Sequence, residues 1–151
     1  MSDASSQVAK TITITLPYLP PASYSNNSRA HWTARRGGRD ADNHSVSDDV
    51  ILAVRGLEWH GEVLQKAVIQ VTFGLPDRRR YDGDNLIARM KPVFDALCPL
   101  KQVGKFPNLR MTGGAGVIQD DALEVIGWPE YSHYYSPKQP STTIRIEELL
   151  A

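Results

Sequence analysis

Asp82 and Asp84 stand one residue apart, directly after Arg78, Arg79 and Arg80, in the stretch "DRRRYDGDNLIARMK" from residue 77 to 91. Two carboxylates this close repel each other unless a cation or a proton relieves them. Carboxylate oxygens are the donors that Mg²⁺ prefers, and guanidinium and ammonium groups suit phosphate. A second acidic pair, Asp120 and Asp121, follows the Gly-rich approach in "GAGVIQDDALEVIG". With Lys91 downstream of the first pair, the set describes a place where carboxylates hold a cation while Arg and Lys hold a phosphate. Each part also has a bland reading. D-x-D occurs in ordinary turns and in several kinds of phosphate enzyme, an Asp in a first helical turn suits the helix dipole, and an arginine run is commonly a solvated turn.

These residues need elements to place them, and hydrophobic periodicity supplies the outline. In "TITITLP" Ile12, Ile14 and Leu16 alternate with threonines, the pattern of a strand with one buried face. From Ser47, expected as an N-cap, a helix carries Val50, Val54 and Leu57 on one stripe, with Asp48 and Asp49 in its first turn. "KAVIQVTFGLP" reads as a second strand that puts Ala67, Ile69, Val71 and Phe73 on one face. Residues 83 to 98 read as a helix, 99 to 116 as a Pro- and Gly-containing connection, and Leu123 to Ile126 and Thr142 to Ile146 as short strands. The expected order is β-α-β-α-β-β, an α/β or α+β single domain with a small mixed sheet and two main helices.

At about 100° per residue, a continuous helix from residue 83 puts Leu86, Met90, Val93 and Leu97 on a core face and Asp84, Lys91 and Asp95 opposite. Lys91 then lies within about 20° of Asp84, and Arg89 about 140° away, which points Arg89 toward binding rather than chemistry. Pro92 is expected to kink this helix just past Lys91.

Composition narrows the classes of function. The 151 residues carry 17 basic and 17 acidic side chains, so any polyanion must be met by a local patch rather than by the overall field. Two such patches exist: Arg78 to Arg80, and the run Arg29, His31, Arg35, Arg36 and Arg39, which falls in a Pro-, Ser-, Asn- and Gly-rich loop expected to be mobile from residue 20 to 46. Cys98 is the single cysteine, which excludes an internal disulfide and a cysteine-based zinc site. The first nine residues read as disordered. No run of 18 apolar residues occurs and the N-terminus lacks the pattern of a secretory signal, so a cytoplasmic protein with no membrane partner is expected.

In combination, "PDRRRYDGDNLIARMKPVFDAL" and the later "GVIQDD" resemble the RusA-type Holliday junction resolvases, whose signature runs Pro-Asp, arginines, D-x-D-N-L, a lysine, D-A-L and then a hydrophobic-D-D. The likeness covers residues 76 to 121 well; the opening strand and "LPPASYSNN" match more loosely. It implies a RusA-like fold and a homodimeric, Mg²⁺-dependent endonuclease of recombination and repair, with Mn²⁺ as a substitute ion, that cuts four-way or other branched DNA. Carried over by position, it implies Asp82, Asp84 and Asp121 as metal-binding catalytic carboxylates, Asp120 as a neighbouring ligand and Lys91 as the catalytic lysine. Arg78, Arg79, Arg80, Arg35, Arg36 and Arg89 would grip DNA. Two features depart from the family pattern. Ala88 holds the position four residues after Asp84 where the family lysine is found, and the connection from Leu97 to Asp120 is expanded, as in phage-encoded members. Two other readings stay open: a different D-x-D phosphate hydrolase, against which Leu86 stands where a D-x-D-x-T phosphatase has threonine, and a non-catalytic DNA-binding module.

Overall fold

A computed structural model describes residues 10–22, 45–59 and 61–150. Strand β1, Thr11–Leu16, buries Ile12, Ile14 and Leu16 and exposes the threonines between them, as its alternation predicts. It pairs antiparallel with β6, Ser141–Glu148, which pairs antiparallel with β2, Ala67–Leu75; β2 in turn runs parallel to β5, Glu130–Tyr135. The result is a mixed four-stranded sheet in the order β1-β6-β2-β5. A separate two-stranded sheet joins β3, Lys101–Val103, to β4, Arg110–Thr112.

The register aligns one apolar face. Ile12 lies opposite Ile146, Ile14 opposite Ile144, and on the other side of β6 Ile69 and Val71 meet the same two isoleucines. Helix α1, residues 45–56, brings Val46, Val50 and Val54 into the same core. Leu86, Met90, Val93, Ala96 and Leu97 join it from the two helices described next. The opposite face of the sheet is polar, with hydrogen bonds Thr15 to Thr143 and Thr72 to Ser132 running across strands. The domain is therefore α+β, with helices over one face of an antiparallel-dominated mixed sheet. Among the described residues no helix is long and apolar enough to cross a membrane.

The structure corrects several expectations. The helix expected over 83 to 98 is two helices, α2 (Gly83–Ala88) and α3 (Lys91–Leu97), with a turn at Arg89 and Met90. Pro92 thus sits in the first turn of α3, where its missing N–H costs nothing, and the break falls before Lys91 rather than after it. The chain is already helical at residue 45, so Ser47 lies within α1 and is not its N-cap. Leu57 falls past its end and is exposed, and the buried stripe runs through Val46 instead. Residues Leu123–Ile126 form a short helix, α4, closed by Gly127; four residues carry too little periodicity to separate helix from strand. The strand of that region is β5. Of the expected basic loop, residues 45 and 46 belong to α1, while Arg35 and Arg36, like the first nine residues, lie outside the described residues.

Candidate active site

Asp82 is the N-cap of α2. Its backbone is extended, and its Oδ1 accepts the N–H of Asp84 at 3.0 Å, satisfying one of the free donors of the first turn. Asp84 lies in that turn, where its charge faces the positive end of a short helix. Both carboxylates are exposed. Just upstream, Asp77 organises the arginine run: its Oδ1 accepts the Arg79 backbone N–H at 3.2 Å and the Tyr81 hydroxyl at 3.1 Å, and Arg79 Nε lies 3.5 Å away. Arg79 also lies over the Tyr81 ring at 4.9 Å, and Arg78 over Tyr135 at 4.5 Å. Arg80 is exposed and has no ion pair among the described residues. Two of the three guanidiniums are thus propped on aromatic rings, and all three residues are exposed.

Asp120 and Asp121 are placed by a rigid approach. The segment before them hydrogen-bonds to the end of α3, with Ala115 N–H to Ala96 O, Val117 and Ile118 N–H to Leu97 O, and Gly114 and Gly116 N–H to Cys98 O. On its other side Leu64 donates to Val117 O and accepts from Gln119 N–H. Val117 and Ile118 are fully buried, so the two carboxylates emerge from a clamped stretch of chain. Asp120 Oδ1 accepts the Asp121 N–H at 2.8 Å.

Lys91, the first residue of α3, meets this loop. Its Nζ lies 3.1 Å from Asp121 Oδ2 and 3.0 Å from Asp95 Oδ1. Burial alone would lower the lysine pKa, but the hydrogen bonds and charges of Asp95 and Asp121 outweigh it and hold the ammonium above its usual value. Burial likewise pushes Asp121 up, and the Lys91 bond and charge more than reverse it, leaving that carboxyl below the ordinary range. Burial pushes the nearby Cys98 thiol up to about 11, which keeps it neutral and unreactive. Arg89 is half-buried and donates from Nε to the Pro20 carbonyl at 2.7 Å, tying the end of α2 to the chain leaving β1. Burial pulls its pKa below the ordinary arginine value, and it remains a cation.

Lys91, Asp121 and Asp120 are therefore brought together. Asp82 and Asp84 sit at the start of α2, whose Ile87 shares a groove with Asp121. Among the described residues no three acidic, histidine or cysteine side chains gather into a ready metal-holding group. The donor chemistry nonetheless fits Mg²⁺: every candidate ligand is a hard carboxylate oxygen. Two components were not foreseen. Asp95, which the sequence sets on the same helix face as Lys91 but not in the site, shares that lysine with Asp121 across a four-residue spacing within α3. An apolar groove of about 440 Å³ adjoins Asp121, lined by Ile87, Phe94, Leu123, Trp128 and Tyr131 among others, with Trp128 83% exposed. No single window of sequence contains it. No protein-family model matches the chain, and no curated protein matches it.

Proposed function

We propose that the chain is a Mg²⁺-dependent endodeoxyribonuclease of the RusA type, acting on four-way or other branched DNA. The observation that carries this reading is the meeting of Lys91 with Asp121, from positions 30 residues apart. Asp82, Asp84 and Asp121 would hold the ion, with Asp120 beside them; Mn²⁺ is a substitute with the same taste for oxygen ligands. A bound ion of this kind supplies an activated water and offsets charge at phosphorus.

The chain's own residues do the rest. In hydrolysis a water oxygen bonds to phosphorus, the bond to one sugar oxygen breaks, and a proton returns to that leaving oxygen. Negative charge builds on the phosphate as this occurs, and Lys91 would offset it. Because Asp95 and Asp121 keep the ammonium protonated at neutral pH, Lys91 serves as a fixed cation and hydrogen-bond donor rather than as a base. Arg78, Arg79, Arg80 and Arg89, with Arg35 and Arg36, would grip backbone phosphates without reading sequence. A junction is resolved by paired nicks, so two such sites related by a homodimer's two-fold axis suit a substrate of matching symmetry. Such an enzyme works in the cytoplasm, on host or phage DNA.

One observation favours a second reading. The described carboxylates form no ready cluster, and Asp82 already caps a helix, as expected of a DNA-binding module without catalysis. Incubating the protein with four-way junction, fork and linear duplex, with and without Mg²⁺, separates the two. Mg²⁺-dependent paired nicking of the branched substrates supports the nuclease; binding without nicking supports the module; nicking of linear duplex at an equal rate removes the structural selectivity.

A further inference from the structure

From residue 96 to residue 119 the chain contains no acidic residue and three basic ones, Lys101, Lys105 and Arg110, a local excess in a chain of zero formal charge. The middle of this stretch is the β3–β4 hairpin, with Lys101 paired to Thr112, Gln102 to Met111 and Val103 to Arg110. Paired residues share a face of the ribbon, so Lys101 and Arg110 project to the same side. Leu100, Phe106, Leu109 and Met111 are all exposed, and Phe106 in the tip is 86% exposed. No described residue between Pro99 and Thr112 joins the hydrophobic core. A lone two-stranded hairpin with an apolar tip has no means of covering itself.

The excursion is nevertheless built, not slack. Gly104 turns the tip with φ +89°, and a Cβ there would lie 2.5 Å from the Asn108 carbonyl. Gly113 closes the base with φ +84°, packed so tightly on the Pro99 carbonyl that no side chain fits. Asn108 N–H bonds to Lys105 O at 2.7 Å within the tip, and Gly114 N–H to Cys98 O at 2.8 Å at the root. That root is the end of α3, whose first residue is Lys91, so it stands about 10 Å along the helix from the candidate site.

We propose that this hairpin is a nucleic-acid arm: Lys101, Lys105 and Arg110 follow phosphates while Phe106 stacks on an unpaired base at a branch point. The inference rests on the reading of the chain as a branched-DNA enzyme and names how the branch is recognised. A two-stranded ribbon fits the major groove of DNA, and exposed apolar side chains serve elsewhere as wedges that unstack a base step. A second copy of the chain is a poorer occupant, because two identical arms would oppose cation to cation.

The test uses a four-way junction carrying 2-aminopurine beside the branch point, titrated with protein in the absence of divalent ions so that nothing is cut. Wild-type protein raises the fluorescence as the base unstacks. Phe106→Ala loses that rise and about tenfold in junction affinity, the effect of removing one base–aromatic stack, while linear-duplex affinity stays unchanged. Phe106→Trp restores the rise. The triple change Lys101→Gln, Lys105→Gln, Arg110→Gln flattens the salt dependence of binding on all shapes. Wild-type fluorescence and affinity in Phe106→Ala overturn the arm even if junctions are still cut with Mg²⁺. A shift from dimer to monomer in sedimentation of Phe106→Ala overturns it in favour of a self-association tip. An unstacking signal with no cleavage under Mg²⁺ leaves the arm standing and removes the nuclease reading. Absence of DNA binding by the wild type removes both.

Discussion

One ammonium ties the start of α3 to a loop 30 residues further on: Lys91 Nζ lies within 3.1 Å of Asp121 Oδ2 and 3.0 Å of Asp95 Oδ1. The lysine side chain is 57% exposed, and pairs this open contribute about 0–1 kcal/mol to stability. Two carboxylates on one half-open lysine make a weak structural strut, yet they fix the position of a positive charge well. Lys91→Ala is therefore expected to leave the fold intact and to cut single-turnover cleavage of saturated junction severely, with little loss of affinity. Arg89→Ala should weaken binding more than chemistry and loosen the chain around Pro20, since it removes the Arg89 Nε bond to that carbonyl. Near-normal cleavage by Lys91→Ala, with collapse in Arg89→Ala, would reverse the two roles.

Asp82 offers a clean separation of structure from chemistry. Asn caps a helix about as well as Asp, whereas Ala costs roughly 0.5–2 kcal/mol. Thermal melts should show Asp82→Asn close to wild type and Asp82→Ala destabilised, while both lose Mg²⁺-dependent nicking. Asp121→Asn should behave like Asp82→Asn. Retained nicking in Asp82→Asn would leave that residue as a cap alone.

Arg79→Ala with Arg80→Ala should weaken binding to every DNA shape. The slope of log K against log salt should flatten by up to about 0.9 for each duplex phosphate that the protein no longer neutralises. Arg80 is expected to supply the larger share, because Arg79 is already engaged with Asp77 and the Tyr81 ring. An unchanged slope in filter-binding titrations would return the run to the role of a solvated turn.

Tyr18 donates its hydroxyl to Asp49 Oδ2, linking the chain after β1 to α1. Burial first, and then the Asp49 bond and charge, push the phenol well above its ordinary value. A pKa raised on folding contributes stability fully below the unfolded value of about 10 and loses it as pH climbs toward the folded one. Tyr18→Phe should cost roughly 0.5–1.5 kcal/mol at pH 7, and its deficit against wild type should shrink above about pH 10. Urea titrations at neutral and alkaline pH measure it; a deficit that widens with pH would contradict the assignment.

How much of the fold and the site is legible in the residue types depends on burial. β1, β2 and β6 announce themselves because one face of each is buried and the alternation survives in the residue types. β5 does not, because it is an edge strand on which only Tyr131 is even half-buried, so "EYSHYY" carries no alternation to read. Pro92 signals a discontinuity, but its tolerance in a first helical turn moves the break to Arg89 and Met90. That break also removes the angular relation that set Lys91 beside Asp84, since angles carry over only along one continuous helix. The acidic pairs are visible as residues at element boundaries. The meeting of Lys91 with Asp121 and the groove around Trp128 are not, because each joins segments that only the fold brings together.

The bond from Gly114 N–H to Cys98 O, with Gly113 pressed on Pro99, acts as a clasp across the neck of the excursion between them. Everything that fixes Asp120 and Asp121 lies on the inner side of that clasp, and everything from Leu100 to Thr112 lies outside it. The domain is in this sense a handle with an interchangeable bit. The arm can be shortened, lengthened or swapped for another at the neck while the carboxylates and Lys91 keep their places. On the proposed reading of the arm as the branch-recognising element, exchanging it at the neck should change which DNA shape is bound while leaving the Lys91–Asp121 contact in place.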